Sequence, residues 1–475
     1  MPRLFVKSAA ALGLAFTLAA CDMAPKYVRP MPPVPSSSPQ GPSYLESGGG
    51  AAIVSADTAW RDFFVDVRLA RVIDTALANN RDLRLAVANV ERARAQYRVQ
   101  RADQLPTVAA NGGATFQKSP FAAFGGAGAG GSGRTDIYSA SLGVSAWEID
   151  LFGRVRNLTK AAEEQYFASV DNRNAAQTAL IAEVATTWLT MAADQERLRI
   201  ARDLEGAFSK TLELTRARFT RGIASELEVR QAQTSHDQAR SDIAQATTLV
   251  AQDQNALNLL AGTTVGAADL PGAMPDSDVT IANLPSDLSS DLLLRRPDIA
   301  AAEHDLRAAN ANIGAARAAF FPTISLTAAL GTLSQGLSNL FASGSGTWSV
   351  APSASVSIFD FGRNKGNLRF ARASYDAMLA TYEKSVQTGF REVADALARR
   401  GTMTDQLEAQ TSLRASARIA YTLAHARFRA GIDPFLTTLD AQRTLYSAEQ
   451  SLLATRLTRA ANMVELYRAM GGGLR

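Results

Sequence analysis

The sequence predicts a mixed, mainly α-helical fold, internally duplicated, with four β-strands set among long helices. Three observations predict it. The stretch ARFTRGIASELEVRQAQ at 217–233 returns as ARFRAGIDPFLTTLDAQ at 426–442, identical at eight of 17 positions. Leu180, Val184, Trp188, Met191 and Leu198 follow at intervals of four, four, three and seven, and Val386, Phe390, Val393 and Leu397 at four, three and four, which are coiled-coil spacings. Residues 137–149 and 347–358 instead alternate with period two. Aromatic residues make up only 7% of the chain while the apolar set leans on Ala and Leu, which suits long helices better than a sheet-rich core.

In chain order, residues 1–20 read as a signal peptide. Arg3 and Lys7 give a basic start, and the apolar run from Ser8 to Ala20 is too short to span a membrane as a helix. Leu18-Ala19-Ala20-Cys21 matches the bacterial lipobox, so Cys21, the one cysteine, is the expected lipidation site; a buried, inert cysteine is the competing reading. The covalent lipid would be an S-diacylglycerol and an N-palmitoyl group, each acyl chain contributing roughly 0.8 kcal/mol per buried CH₂. Residues 21–58 then form a lipid-anchored, extended N-terminal segment, because the proline and serine in MAPKYVRPMPPVPSSSPQGPSY leave little to pack. With Cys21 lipidated no thiol remains for a disulfide, and the fold must be stable by packing.

The first repeat, 59–262, and the second, 297–475, each predict a helix, a β-hairpin and a long helical hairpin, with 263–296 as a Gly-, Pro- and Asp-rich connector. Asp82-Leu83 is echoed by Asp298-Ile299, Leu105-Pro106-Thr107 by Phe321-Pro322-Thr323, and Phe152-Gly153-Arg154 by Phe361-Gly362-Arg363. In the hairpins, Tyr138, Ala140, Leu142, Val144 and Ala146 alternate with Ser139, Ser141, Gly143 and Ser145. Trp348, Val350, Pro352, Ala354, Val356 and Ile358 alternate with Thr347, Ser349, Ala351, Ser353, Ser355 and Ser357. Weaker partner strands carry Val108, Ala110 and Ala114, and Ile324, Leu326 and Leu330, joined by glycine-rich loops at 119–134 and 334–346. Strands with one apolar and one small-polar face fit a soluble sheet with a wet side, or a barrel with lipid outside and water inside. Lengths near ten residues and an export signal favour the barrel, and four strands cannot enclose water, so several chains must contribute. From Arg154 to Phe219 there is no proline and one glycine, Gly206. A helix of that span is about 100 Å long, more than a globular core needs.

The repeated phrase marks where each long helix stops. Gly222 and Gly431 permit the positive φ that ends a helix. Ser225 and Asp433 are suited to start the next one, with Pro434 at its first position.

These motifs together resemble a TolC-like outer-membrane factor, of the lipoprotein branch that serves RND-type efflux systems. The resemblance rests on the lipobox, WRDFFVDVRL at 60–69, LRRPDIAAAEHDLRAANANIGAARAAFFPTISL at 294–326, SIFDFGR at 357–363, both turn phrases and LDAQRTLYSAEQ at 439–450, and covers essentially the whole mature chain. It implies a homotrimer whose twelve-stranded outer-membrane β-barrel continues into a long periplasmic α-helical coiled-coil barrel. It also implies an outer-membrane location, a periplasmic adaptor and an inner-membrane RND pump as partners, and passive conduction of drugs or other small molecules. Leu436 and Asp440 match the positions where the family narrows its tunnel, and Arg443 lies on the same helix face as Asp440. In a trimer one carboxylate becomes a ring of three; an ordinary solvated Asp–Arg pair is the competing reading. Gly222, Ile223, Gly431 and Ile432 match the family's adaptor-docking tips, and plain turn chemistry accounts for the same residues. Asp22, just after the lipobox cysteine, is the residue that retains lipoproteins at the inner membrane in the best-studied sorting system.

Other functions fit less well. A formal net charge of +4, from 49 basic and 45 acidic residues, leaves no footprint for nucleic acid. His236, His304 and His425 lie in different segments with no metal-ligand spacing, so no metal, catalytic residue or other cofactor is expected. Gly126, Gly128 and Gly131 satisfy GxGxxG but sit inside a hairpin and lead into a strand, the wrong context for a dinucleotide. A soluble or peripheral periplasmic coiled-coil scaffold lipoprotein is the alternative function. It accounts for the helices and leaves the alternating strands unexplained.

Overall fold

Both halves of the sequence build a helix, a β-hairpin and a long helical hairpin, and the first half adds two helices ahead of that run. The computed structural model describes residues 22–35, 37, 39–44, 58–118, 134–275, 279–280 and 290–472. The signal peptide, Cys21, Gly126, Gly128 and Gly131 lie outside the described residues. The first half comprises α1 (Trp60–Phe63), α2 (Val67–Asn79), α3 (Arg81–Ala102), β1 (Val108–Lys118), β2 (Arg134–Glu148), α4 (Arg154–Thr220) and α5 (Glu226–Ala261). The second comprises α6 (Pro297–Ala318), β3 (Thr323–Ser334), β4 (Gly346–Ser355), α7 (Arg363–Arg429) and α8 (Phe435–Ala469). Helices α4 and α7 have 67 residues each, about 100 Å at 1.5 Å per residue.

Packing divides the chain into two compact units, and each unit draws on both repeats. The first takes the described residues within 1–30, 90–169 and 302–382 and holds an antiparallel sheet in the order β1-β2-β3-β4. Its register converts the sequence alternation into faces. Val108, Val144, Ala328 and Val350 lie opposite one another across the strands, and so do Ala110, Leu142, Leu330 and Trp348. Opposed residues share a face, so these rows form one apolar side. Asn111, Ser141, Gly331 and Thr347 form a row of the other, small and polar side. None of the strand residues is buried. Trp348 is 75% exposed and Leu330 69%.

Two strand expectations are corrected. The alternation of β2 does not continue through Ala146, because the β2–β3 register shifts between Val144 and Trp147. Ala146 there adopts φ 49°, and its N–H donates to the Thr327 hydroxyl at 3.1 Å. This is bulge geometry, which inserts a residue into one strand. Strand β4 stops at Ser355, so Val356 and Ile358 lie beyond it.

Composition after Cys21 predicts little packing, yet residues 22–29 are tied down in this first unit. The Asn157 amide donates to Asp22 (2.8 Å), the Arg317 guanidinium to the Met23 carbonyl (3.2 Å) and the Asn310 amide to the Pro25 carbonyl (2.8 Å). The Tyr27 hydroxyl and the Arg29 guanidinium both donate to Glu303, at 3.2 and 2.9 Å. Backbone carbonyls do much of this work, and every sequence carries those, so a low apolar content does not forbid docking. Glu303 also accepts from Arg307 at 2.6 Å. Burial pushes the Glu303 carboxyl up, but the bonds and charges of Arg29 and Arg307 outweigh it and hold it below the usual range.

The second unit takes the described residues within 31–89, 170–301 and 383–475. Its core contains all but one of the coiled-coil positions read from the sequence: Leu180, Val184, Trp188, Met191 and Leu198 are buried, as are Val386, Val393 and Leu397, while Phe390 is only partly buried. Phe63 stacks on Tyr467 with centroids 4.0 Å apart. Trp188 donates its indole N–H to the Asp269 carbonyl at 3.0 Å. Arg296 is buried and paired on every side-chain nitrogen: it donates to the Ala469 carbonyl (2.8 Å), to both oxygens of Asp298 (3.0 and 2.7 Å) and to Glu392 (2.8 Å). A buried charge needs such pairing. Among the described residues no helix is long and apolar enough to cross a membrane.

Candidate functional site

The two turns between long helices gather most residues that the sequence singled out. Each closes by the same pair of bonds. In the first, the Gly222 N–H donates to the Phe219 carbonyl (2.8 Å) and the Ile223 N–H to the Arg218 carbonyl (2.8 Å). In the second, Gly431 donates to Phe428 (2.9 Å) and Ile432 to Arg427 (3.0 Å). This is the Schellman arrangement, which satisfies the last carbonyls of the helix and needs a left-handed residue. Gly222 has φ 72° and Gly431 φ 74°. The residues that follow, Ile223 and Ile432, are 64% and 63% exposed. An isoleucine at the same outward position of both turns is an apolar side chain that the described residues leave largely uncovered.

The next helices start differently. Ser225 caps α5 in a capping box: the Glu228 N–H donates to the Ser225 hydroxyl oxygen, and the Ser225 N–H donates to the Glu228 carboxylate at 2.7 Å. For α8 the expected start is corrected by one residue. Pro434, with ψ 154°, is the extended residue before the helix, and Phe435 opens it. Asp433 does not cap it, because its carboxylate is taken by Arg427 in two bonds of 2.6 and 2.8 Å. That bond to Arg427 holds Asp433 below the usual carboxylate range. The turn helices pack through Phe208, Leu212, Ala232, Ala239, Phe428, Phe435 and Leu439. The Thr438 hydroxyl donates to the Ala424 carbonyl at 3.2 Å and joins α8 to α7.

The expected gate residues lie on the first turns of α8. Leu436 is 47% exposed, and Asp440 and Arg443 are exposed. The structure does not pair Asp440 with Arg443 within the chain. Arg443 donates instead to the Ser235 hydroxyl on α5 at 3.3 Å. Beyond it α8 is fastened on several sides: Tyr446 donates to Asp242 on α5 (3.0 Å), Arg418 on α7 to Glu449 (2.7 Å), and Arg197 on α4 to Gln450 (3.2 Å). Burial, with the Asp242 carboxylate second, pushes the Tyr446 hydroxyl up to about 12. No sequence signal marked these ties, which join residues far apart in the chain.

One further cluster escaped the sequence reading. Asp253 on α5 faces Asp194 on α4, and one Asp253 oxygen is buried without a hydrogen-bond partner. Burial first, and then the neighbouring Asp194, raise the Asp253 carboxyl to about 6, with Arg197 opposing. Among the described residues no group of three or more His, Cys, Asp or Glu side chains is arranged to hold a metal.

Comparison with known proteins gives a consistent result. The profile of the outer membrane efflux protein family matches residues 72–263 and 288–472. The toluene efflux pump outer membrane protein TtgC of Pseudomonas putida is 46% identical over 459 residues, spanning 97% of this chain and 94% of TtgC. Outer membrane protein OprJ of Pseudomonas aeruginosa is 41% identical over 466 residues, spanning 98% and 95%. The crystal structure of the open state of the Neisseria gonorrhoeae MtrE outer membrane channel superimposes with a TM-score of 0.85 at 38% identity, covering 96% of this chain and 99% of that one.

Proposed function

The chain belongs to the outer membrane efflux protein family, and on that premise we propose how its parts serve as an exit channel. It is the outer-membrane duct of a tripartite efflux system. Three copies assemble so that the free edge of β4 in one pairs with the free edge of β1 in the next, giving a twelve-stranded barrel. The observation that carries this reading is the sheet. Its apolar rows Val108–Val144–Ala328–Val350 and Ala110–Leu142–Leu330–Trp348 are buried by nothing among the described residues. Lipid against that face and water against the Ser, Asn and Thr face satisfy both sides at once. Edge strands left unpaired in hydrocarbon would cost several kcal/mol per backbone group, so closure requires further copies.

The channel conducts drugs or other small molecules passively. Energy comes from an inner-membrane RND pump, and a periplasmic adaptor docks at the tips through Gly222, Ile223, Gly431 and Ile432. Cys21 carries the S-diacylglycerol and N-palmitoyl chains that add an anchor in the outer membrane. Leu436, Asp440 and Arg443 form the periplasmic gate. The exposed Asp440, unpaired with Arg443 in one chain, supports this role, since three such carboxylates about an axis attract cations and close the passage electrostatically. Images of purified particles test the assembly: threefold bodies are expected, and compact monomers without a channel would overturn it. For the gate, Asp440→Ala should raise single-channel conductance in a planar bilayer. Unchanged conductance and cation selectivity would remove Asp440 from that role.

A further inference from the structure

Asp22 poses a conflict. It follows the expected lipidation site, where an aspartate retains lipoproteins at the inner membrane in the best-studied sorting system. Yet the chain belongs to a family of outer-membrane proteins. Asp22 lies at the surface, but its carboxylate is turned back onto the folded chain. Oδ1 accepts from the Ala24 N–H at 2.9 Å and from the Asn157 amide at 2.8 Å. Asn157 is buried and held in place, since the same amide donates to the Gly153 carbonyl at 2.7 Å. Burial pushes the Asp22 carboxyl up, but the bonds from Ala24 and Asn157 and the charges of Lys160 and Arg156 outweigh it and keep it below the usual range.

The contact draws on both repeats. A Cβ at Gly314 on α6 would lie 2.7 Å from the Ala24 nitrogen and 2.7 Å from the Asn157 amide nitrogen, so glycine is what lets the strap lie this close. On α6 as well, Arg317 and Asn310 hold the Met23 and Pro25 carbonyls. The duplication supplies an internal comparison. Matching Phe152-Gly153-Arg154 to Phe361-Gly362-Arg363 sets Asn157 opposite Gly366, and matching Leu105-Pro106-Thr107 to Phe321-Pro322-Thr323 sets Gly314 opposite Arg98. Neither the amide nor the space recurs, so the seat for Asp22 is not a by-product of the repeated packing.

We propose that Asn157, with the space left by Gly314, masks a sorting signal: the folded chain withholds the Asp22 carboxylate from the machinery that would retain the lipoprotein at the inner membrane. The proposal rests on the reading that Cys21 is acylated. A carboxylate that accepts two bonds from its own chain must give them up before it binds elsewhere, and a receptor that reads an extended residue 22 meets that penalty. Release to the outer membrane is thereby tied to the packing of α4 against α6, because an unfolded chain has no seat for Asp22.

The test follows the full chain in a Gram-negative host whose sorting system retains lipoproteins with aspartate after the acylated cysteine. Inner and outer membranes are separated by density and probed for the protein. The unaltered chain should be found in the outer membrane. Gly314→Ala crowds the strap while favouring the helix it sits in, and Asn157→Ala removes the donor. Each should raise the inner-to-outer ratio roughly tenfold, the effect of losing a hydrogen bond to a charged group. Adding Asp22→Ser to either variant should return it to the outer membrane, a recovery that misfolding cannot produce. Outer-membrane location of both single variants, or inner-membrane retention that persists with Asp22→Ser, overturns the proposal. The mass of the N-terminal peptide separates this inference from its premise. A peptide without acyl chains in the unaltered protein removes the anchor reading and the mask with it. Acylated variants whose location ignores residue 22 remove the mask alone.

Discussion

Replacing Asp253 by Asn should stabilise the folded chain at neutral pH and leave it unchanged in acid. Asp253 titrates near 6 in the folded state against 3.8 for an ordinary aspartate. Between those values the folded state holds a proton that the unfolded chain has released. Stability therefore falls as pH rises from about 4 to about 6, and the cost is complete above that. Two pKa units correspond to about 3 kcal/mol. Asp253 is only half-buried and Arg197 stands nearby, so water and that charge reduce the cost to about 1 kcal/mol. An asparagine keeps the donor that a protonated Asp253 offers Asp194 and removes the like-charge contact between α4 and α5. Thermal unfolding in detergent, followed from pH 4.5 to 8, reads the effect. The variant should melt about 1–3 °C higher at pH 7.5, and its curve should flatten where the unaltered protein loses stability. Parallel pH curves, or a variant less stable at pH 7.5, would refute the reasoning, because the two carboxyls would then not share a proton.

Three further outcomes follow from the same structure. Gly431→Val forces a β-branched residue to φ 74°, a cost of about 1–2 kcal/mol, and hydrogen exchange from Phe428 to Leu439 should accelerate about tenfold. Ser225→Ala removes one half of the capping box, so the first turn of α5 should lose about 1 kcal/mol, seen as faster exchange at Leu227 to Val229 with the second turn unaffected. Glu303→Ala leaves Arg29 and Tyr27 without their shared acceptor, and proteolysis after Lys26 should speed up while the remainder resists. In the unaltered protein the same release should occur as pH falls below the ordinary glutamate range, since Glu303 is held ionised and its contribution is lost on protonation.

The turns were legible because their signals are local. Gly222 and Gly431 sit where only a left-handed residue closes the helix, and Ser225 with Glu228 spells out a capping box over four residues. The sheet faces were legible for the same reason, period two being a property of neighbouring residues. Local rules also failed locally. Asp433 has the right chemistry for a cap, but Arg427, six residues earlier, outcompetes the α8 backbone for its carboxylate. Ala146 looked like one more alternating residue until the pairing of β2 with β3 placed a bulge there.

By itself the sequence determined that the chain is duplicated, that each half carries a long helical hairpin and a β-hairpin, and which side of each strand is apolar. These follow from spacing, which is written along the chain. Only the tertiary structure decided that each compact unit draws on both repeats, that Glu303 gathers Tyr27 and Arg29 from more than 270 residues away, and that Asp194 meets Asp253. The physical reason is that a charge or a hydrogen-bond donor carries no address in the sequence. Its partner is whichever group packing brings within about 3 Å, and packing is settled by the whole chain.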